Sequence, residues 1–354
     1  MKPAGIILAI LGVLALIGAI VVPTVVVPAA AIGVVDSTDS TTYTTADVKY
    51  LVQDKLTEAV ATNNPEAAYG NAQLESTRIT TSVTDNADAQ SQGLSVFNTQ
   101  TTNTDAATGQ VFEPSPGETD VFAFNPTTSE LATCCGANLN GNSDVTFSGI
   151  MPLKFPFNTP QADQELYVAA IQKPVTATFE GTTEQYGMEL YKFRQSFPAT
   201  QVPGDPFLEV PMNLAKLAVG VFAPNLAPEL DTLPQDQPVA LYSFVSGESE
   251  FLVEPATGQF VDGNVNQVTT VRLDGGTEDV LLVSDIKGAS ANVEEGAADI
   301  KSAADTLKTG KSTVPIALGI LGVILLVVGI LLVVKAGKKK SAAAAAAGTG
   351  SASA

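Results

Sequence analysis

The sequence predicts a mainly β protein: a β-rich barrel or sandwich outside the membrane, with a few helices, flanked by N- and C-terminal transmembrane helices. Two long uncharged apolar runs stand near the ends of the 354-residue chain. Between them, β-branched and aromatic residues alternate with polar ones, and Pro, Gly, Asn and Asp recur at short intervals. All 37 acidic residues fall between the two runs.

Residues 1–35 are read as the first anchor. Pro3 to Val35 holds no charge, and Ala4 to Val22 alone is long enough to span a bilayer. A cleaved signal peptide competes, with Ala29 to Ala31 as its small-residue cleavage site. The apolar run exceeds a usual signal core, which favours a retained anchor. The second anchor covers 312–334, and Lys335, Lys338, Lys339 and Lys340 follow at once. With Lys2 ahead of the first run, the positive-inside rule puts both termini in the cytoplasm and the main domain outside the plasma membrane. Residues 335–354 form a basic, Ala-rich tail. Small residues stand seven apart, at Gly5, Gly12 and Ala19 and again at Gly322 and Gly329. That spacing either prepares a close helix–helix approach or reflects the abundance of Gly in membrane helices.

The outer part carries thirteen basic residues against all 37 acidic ones, a net charge of −24. Such a surface suits neither nucleic acid nor an anionic membrane surface; it suits solubility, cations or sugars.

Residues 36–74 begin polar and Thr-rich. Thr44 with Asp47 resembles a capping box, and Val48, Val52, Leu56 and Val60 follow at helical spacing, so a helix is expected over Ala46 to Val60. Residues 75–284 read as many short strands, among them RITTSVT, DVTFSGIMPLKFPF, PVTATFEGT, MELYKFRQSF, PVALYSFVSG and VNQVTTVRLDG. One stretch, Phe207 to Leu230, breaks the pattern: Leu214, Leu217, Ala218, Val221 and Phe222 keep helical spacing. It is read as a helix plugging one end of the barrel, with an apolar flap of Leu214, Leu217, Val221 and Phe222 as the sharper alternative. Residues 285–311 return to helical period, with Val293, Ala297, Ile300, Ala304 and Leu307 forming a narrow stripe on a stalk.

Three segments share one device: EFLVEPATGQFVDG, TDAATGQVFEP and VFAFNPTTSELA. Turn chemistry accounts for their Pro, Thr and Gly, so they are expected as three hairpins of one meandering sheet.

No His is present, which removes Ser-His-Asp and Cys-His catalysis and His metal sites. No catalytic motif, cofactor site or metal site is recognisable, and the chain is read as a non-enzyme. Cys134 and Cys135 are adjacent; outside the membrane they tend to oxidise, and a bridge between neighbours is unusual, which leaves free thiols or bridges to another chain as alternatives. NLNGNSD, Asn138 to Asp144, has oxygen side chains at alternate positions, but its Asn-Gly and single carboxylate favour a hairpin over a calcium loop.

Three segments carry a family resemblance: SGIMPLKFPFNTPQADQELY, TTEQYGMELYKFR and YSFVSGESEFLVEPATGQFVD. They resemble the Lys-Phe-Pro-Phe segment, the Gly-x-x-x-Tyr-x-Phe strand and the Val-Glu-Pro-x-Thr-Gly hairpin of the actinobacterial PorA family, which includes LmcA-like envelope proteins. The resemblance implies an envelope protein of a mycolic-acid actinobacterium. It further implies lipid binding or lipid transfer in the assembly of lipomannan and lipoarabinomannan, with a porin-like channel or a scaffold recruiting glycosyltransferases as alternatives. Implied partners are a membrane lipid or glycolipid, and an envelope glycosyltransferase or a second copy through the stalk helix. Phe155, Phe157, Tyr191, Phe193, Tyr242, Phe244 and Phe251 are the large side chains that would line a lipid cavity or fill a dry core. Lys154, Lys192 and Arg194 are the candidate head-group contacts.

Overall fold

The computed structural model describes residues 2–36, 38–113, 115–291 and 294–348. They fall into two compact units, Met1–Gly33 with Ser302–Ala354, and Val34–Lys301. The chain opens with helix α1 (Lys2–Val21), a π-helical turn (Val22–Val26) and α2 (Val27–Asp36). Pro23 sits in that π-turn, where its missing N–H interrupts the regular hydrogen-bond ladder.

The second unit follows. Its elements are β1 (Asp39–Leu51), α3 (Leu56–Thr62), β2 (Tyr69–Ser82), α4 (Ala87–Ser91), β3 (Ser95–Asp105), β4 (Gly117–Phe124), β5 (Leu131–Ala132), β6 (Asn138–Leu139) and β7 (Gln164–Val168). Then come β8 (Lys173–Gln185), β9 (Met188–Gln201), β10 (Leu208–Val210), α5 (Met212–Phe222), α6 (Ala227–Leu230), β11 (Val239–Glu254), β12 (Gln259–Leu273) and β13 (Leu281–Ala291). Helix α7 (Glu294–Lys308), a second π-turn (Thr309–Thr313) and α8 (Val314–Gly348) complete the described chain.

One antiparallel sheet holds all the strands, in the order β5-β4-β3-β2-β1-β13-β12-β11-β9-β8-β7, with β10 beside β11 and β6 beside β4. Bulges at Thr45/Asp47, Val245/Gly247, Leu252/Val253 and Phe179/Gly181 add twist, and the sheet curls into a half-barrel. Its two edges meet one short stretch. Leu131 N donates to Gly149 O and Met151 N to Ser129 O on the β5 side; Ile150 N donates to Glu165 O and Tyr167 N to Ile150 O on the β7 side, all at 2.8–2.9 Å. Both edges thus gain partners, which removes exposed pairing surface. A single curled sheet replaces the sandwich alternative.

Two expectations are corrected. Residues Ala46 to Leu51 are strand, not helix, and only Leu56–Thr62 is α-helical. Thr44 and Asp47 pair across β1 with Ser76 and Gln73 instead of capping a helix. The stretch DVTFSGIMPLKFPF holds no named strand and makes only isolated bridges at Ile150 and Lys154. Pro152 and Pro156 cannot donate to a ladder, and Gly149 sits at φ +73°.

The three-hairpin reading holds: the device joins β3 to β4, β4 to β5 and β11 to β12. NLNGNSD is also a hairpin, with Leu139 bridged to Asn142 around Asn140 and Gly141 at positive φ.

In the first unit, α1 and α8 touch at Gly12 and Gly322. A Cβ on Gly12 would lie 2.7 Å from Gly322 O, and one on Gly322 would lie 2.8 Å from Leu16 Cγ. Two of the small residues spaced by seven therefore serve close backbone approach. In the second unit, Ala297 and Ile300 of α7 pack on Met188, Leu190, Leu252 and Val261. This part of the stalk stripe covers the sheet. Val293 lies outside the described residues.

Candidate functional site

The three turns are the same at atomic detail. Each begins with a side-chain acceptor, Asp105, Asn125 or Glu254, and has Thr three residues on. The first residue's side-chain oxygen accepts from the backbone N–H of Thr108, Thr128 or Thr257 at 2.8–3.2 Å. The Thr hydroxyl then accepts from the N–H two residues further, on Gln110, Glu130 or Gln259. The residue after Thr takes positive φ: Gly109, Ser129 and Gly258 at +66°, +59° and +73°. An i to i+4 backbone bond of 2.7–2.8 Å closes each turn.

Two of these turns clasp the Lys-Phe-Pro-Phe segment between them. Phe155 N donates to Gly258 O (2.7 Å), Thr159 N to Pro255 O (2.8 Å) and Phe157 N to Thr127 O (3.0 Å). The Ser129 hydroxyl donates to Phe155 O at 2.8 Å. The clasp leaves no space: a Cβ on Gly258 would overlap Phe155 O. The ring of Phe155 lies 4.5 Å from that of Phe193 and 5.5 Å from that of Phe260, and Phe179, Tyr191 and Phe251 complete the cluster. All three segments that carry the family resemblance therefore converge on Phe155.

Phe155 and Phe193 are 0% and 1% exposed. They fill the interior with one another instead of lining a space. Tyr191 and Phe251 are half-buried at the margin of the same cluster, and Phe157 is buried. Tyr242 and Phe244 stand elsewhere, half-buried on β11, where Arg272 lies over the Phe244 ring at 4.6 Å.

The head-group candidates are also separated. Lys154 is 6% exposed; its Nζ donates to Phe155 O (3.0 Å) and Ser129 Oγ (3.4 Å) and stands 3.8 Å over the Phe157 ring. Burial lowers its amine from 10.5 to about 7. Lys154 is thus a core residue and cannot meet a head group at the surface. Arg194 is tied to Glu248 and Glu250 on the neighbouring β11. Lys192 is half-buried on β9.

Helix α5 combines both readings of its sequence. Met212, Ala215 and Val219 are buried over an apolar cluster with Leu226, Leu230, Val239, Leu241, Val271 and Leu273. On the opposite side Leu214 and Leu217 are 51% and 55% exposed, and Phe207 and Leu208 extend the same exposed apolar character onto β10. Val221 and Phe222 are half-buried, with Phe222 packed against the α3 cluster. A cavity of about 130 Å³ lies beside Met212, bounded by Leu233, Pro234, Pro238, Val239 and Leu273. This end of the sheet lies opposite the Ala291 end of β13. Ala291 pairs with Thr44, while the start of β13 at Leu281 pairs with Val271. Eleven residues of β13 separate them, about 35 Å of strand.

Cys134 and Cys135 form a bridge with each other, with Cys135 at φ +59°. Gln92 Nε2 approaches both sulfurs at 3.8 and 3.6 Å, and Asn86 Nδ2 donates to Cys135 O. No intermolecular bridge or free thiol is left at this position.

The sequence did not single out the inner face of β1–β4. Ser40, Thr42, Thr44, Ser76, Arg78, Thr80, Thr99, Thr101, Asn103, Glu118 and Asp120 share it by register. Burial raises the Asp120 carboxyl to about 6, helped by the charge of Glu118; the N–H of Asn140 and the charge of Arg78 oppose the shift. Tyr167 Oη is buried without a hydrogen-bond partner, and burial with the nearby Asp120 raises it to about 12. The Thr-rich composition of these strands was the available signal, but it reads equally as an exposed edge.

A family model described as porin PorA matches residues 4–331. The chain belongs to the porin PorA family. No curated protein matches it. Membership makes this PorA chain a porin-like envelope protein, and its two apolar helices are long enough to cross a membrane. Among the described residues no cluster of His, Cys, Asp and Glu is arranged to hold a metal ion.

Proposed function

We propose that this PorA-family protein is a non-enzymatic lipid-binding or lipid-transfer factor of the cell envelope, acting in lipoglycan assembly and anchored in the plasma membrane with both termini cytoplasmic. The observation that carries this reading is α5. An amphipathic helix covers a large apolar cluster at one end of the sheet, and its own outer face is apolar and exposed. Large exposed apolar side chains such as Leu214 and Leu217 on a strongly acidic domain fit contact with apolar matter. Lifting α5 would open the cluster under Met212, Ala215 and Val219 to an acyl chain. The aromatic cluster at Phe155 is a separate, filled part of the core.

A photoactivatable diacyl lipid in proteoliposomes tests the reading. Labelling of Phe207 to Phe222 in addition to the anchors is expected, and its loss in the Leu214→Asp/Leu217→Asp variant. Labelling confined to the two anchors would refute it.

A channel built from the strands is the second reading, favoured by the polar inner face of β1–β4. The outward faces of β1 and β2 oppose it. They present Asp39, Thr41, Thr45, Asp47, Asn71, Gln73 and Glu75, where a membrane barrel needs apolar side chains. Conductance in planar bilayers that survives deletion of α1 and α8 would favour the channel.

A further inference from the structure

Cys134 and Cys135 are the only cysteines of the chain, and their bridge joins neighbours. A disulfide ties a fold together more the longer the loop it closes, so this one is no staple. Its surroundings are more specific. Ala137 N donates to Cys134 O at 2.9 Å, and Cys135 and Gly136 take φ +59° and +83°, so the bridge spans the first two residues of a tight turn. Helix α4 holds this turn from both ends. Asn86 caps the helix through Ala89 N and donates from Nδ2 to Cys135 O at 2.8 Å. Gln92, just after α4, gives Nε2 to Asp88 O at 3.1 Å and to the sulfurs of Cys134 and Cys135 at 3.8 and 3.6 Å. Both cysteines are half-buried against the cluster of Phe122, Phe147 and Tyr167, and Gln92 is exposed.

A disulfide exchanges with thiols when a thiolate can reach one sulfur and the other can leave as a thiolate. A hydrogen bond to the departing sulfur lowers its proton affinity and speeds that departure. Partial exposure of the pair admits the attacking thiolate. The Gln92 amide, oriented by Asp88 O, keeps an N–H beside whichever sulfur departs. The pair also stands on the seam that closes the sheet. Leu131 N donates to Gly149 O at 2.9 Å, and Phe147 N to Thr133 Oγ1 at 2.8 Å. The turn at Cys135 therefore continues the short run of chain that joins one sheet edge to the closing stretch.

We propose that Cys134 and Cys135 form a site of reversible exchange with a dithiol, and that its redox state sets how firmly the seam at Leu131 and Thr133 is held. One thiolate of the incoming dithiol attacks a sulfur of the pair and forms a mixed disulfide. The other sulfur leaves as a thiolate, held by Gln92 as a positioning residue, and takes a proton from solvent. The second thiolate of the dithiol then attacks its own bridged sulfur and expels the remaining cysteine, which is protonated in turn. The pair gains two electrons and two protons, and the dithiol becomes a disulfide. Opening the bridge releases Cys135, a non-glycine residue at positive φ, from the ring that helps hold it there, and the chain from Leu131 to Leu139 loosens. This site is independent of the lipid-binding reading.

The test is thiol counting on the full-length protein in detergent, with dithiothreitol as the dithiol and iodoacetamide as the label, read by intact mass. With only two cysteines in the chain, every thiol label reports this pair. The native protein should take no label at rest, two after dithiothreitol without denaturant, and none again after oxidised dithiothreitol. Gln92→Met should slow native reduction by about tenfold, through the loss of one hydrogen bond to a charged sulfur. It should leave the rate in urea unchanged, which separates positioning from the intrinsic reactivity of the pair. Hydrogen exchange across residues 131–139 and 147–151 should be faster by about tenfold in the reduced protein. Two labels at rest, or reduction only in urea, would overturn the exchange site. A native rate unchanged in Gln92→Met would overturn the role of Gln92. Hydrogen exchange unchanged on reduction would overturn the link to the seam.

Discussion

Replacing Lys154 by Met should change how stability depends on pH. The amine is buried, touches Phe155 O and Ser129 Oγ, and falls from 10.5 to about 7 because burial penalises its charged form. An unfolded chain binds this proton up to pH 10.5; the folded chain releases it near 7. Between those values the unfolded state holds more protons, so the contribution of Lys154 to stability rises with pH. Below about 7 its full cost is felt, a ceiling of about 5 kcal/mol at ~1.4 kcal/mol per pH unit. From about pH 7.5 to about pH 9.5 the same linkage relieves about 2.5 kcal/mol. Met keeps most of the volume and has no proton to lose. Urea unfolding of the detergent-solubilised protein, followed by Tyr fluorescence, should therefore show the stability gap between variant and wild type shifting by about 2.5 kcal/mol over that range, in favour of wild type as pH rises. Parallel pH curves would mean that the folded protein keeps the amine charged, and would refute the burial argument.

The two glycines of the repeated turn offer a paired test: Gly109→Ala meets open space at φ +66° and should cost about 1 kcal/mol, whereas Gly258→Ala also overlaps Phe155 O and should cost at least about 2 kcal/mol more, read as a difference in thermal midpoints. Tyr167→Phe removes a buried hydroxyl with no partner and should be neutral or stabilising by up to about 1 kcal/mol in the same assay. Leu214→Asp with Leu217→Asp should leave the thermal midpoint within about 1 kcal/mol of wild type, since both residues are exposed, while abolishing lipid labelling of α5. Loss of folding in that variant would show the helix face to be structural.

Residue pattern alone gave the two apolar helices, the β-rich middle, the α5 helix and the three repeated turns. Each is a local signal: an uncharged run, an alternation, a 3.6-residue period, or turn residues at fixed offsets. It also placed Phe155, Phe193 and Phe251 among the residues that fill or line an interior.

The misread helix over Ala46 to Val60 shows where local signals stop. Val48, Val52, Leu56 and Val60 are four apart, and four is a multiple of the strand period as well as close to a helical turn. The choice falls to β2 and β13, which flank β1 on both sides and supply its hydrogen bonds. The same limit hid the inner face. Thr, Ser and Asn at alternate positions look like solvent-facing strand until the sheet curls and turns them toward its axis.

By itself, then, the sequence determined the parts that short-range chemistry dictates: the apolar helices, strand-forming segments, turns, and the acidic charge of the domain between the two apolar runs. Tertiary structure decided which groups meet. It clasped the Lys-Phe-Pro-Phe segment between two turns more than a hundred residues apart, buried Lys154, engaged Arg194 and covered part of the stalk. The physical reason is that pairing register and sheet curvature are set by long-range hydrogen bonds and packing, and a shift of one residue in register turns every side chain of a strand to the other face.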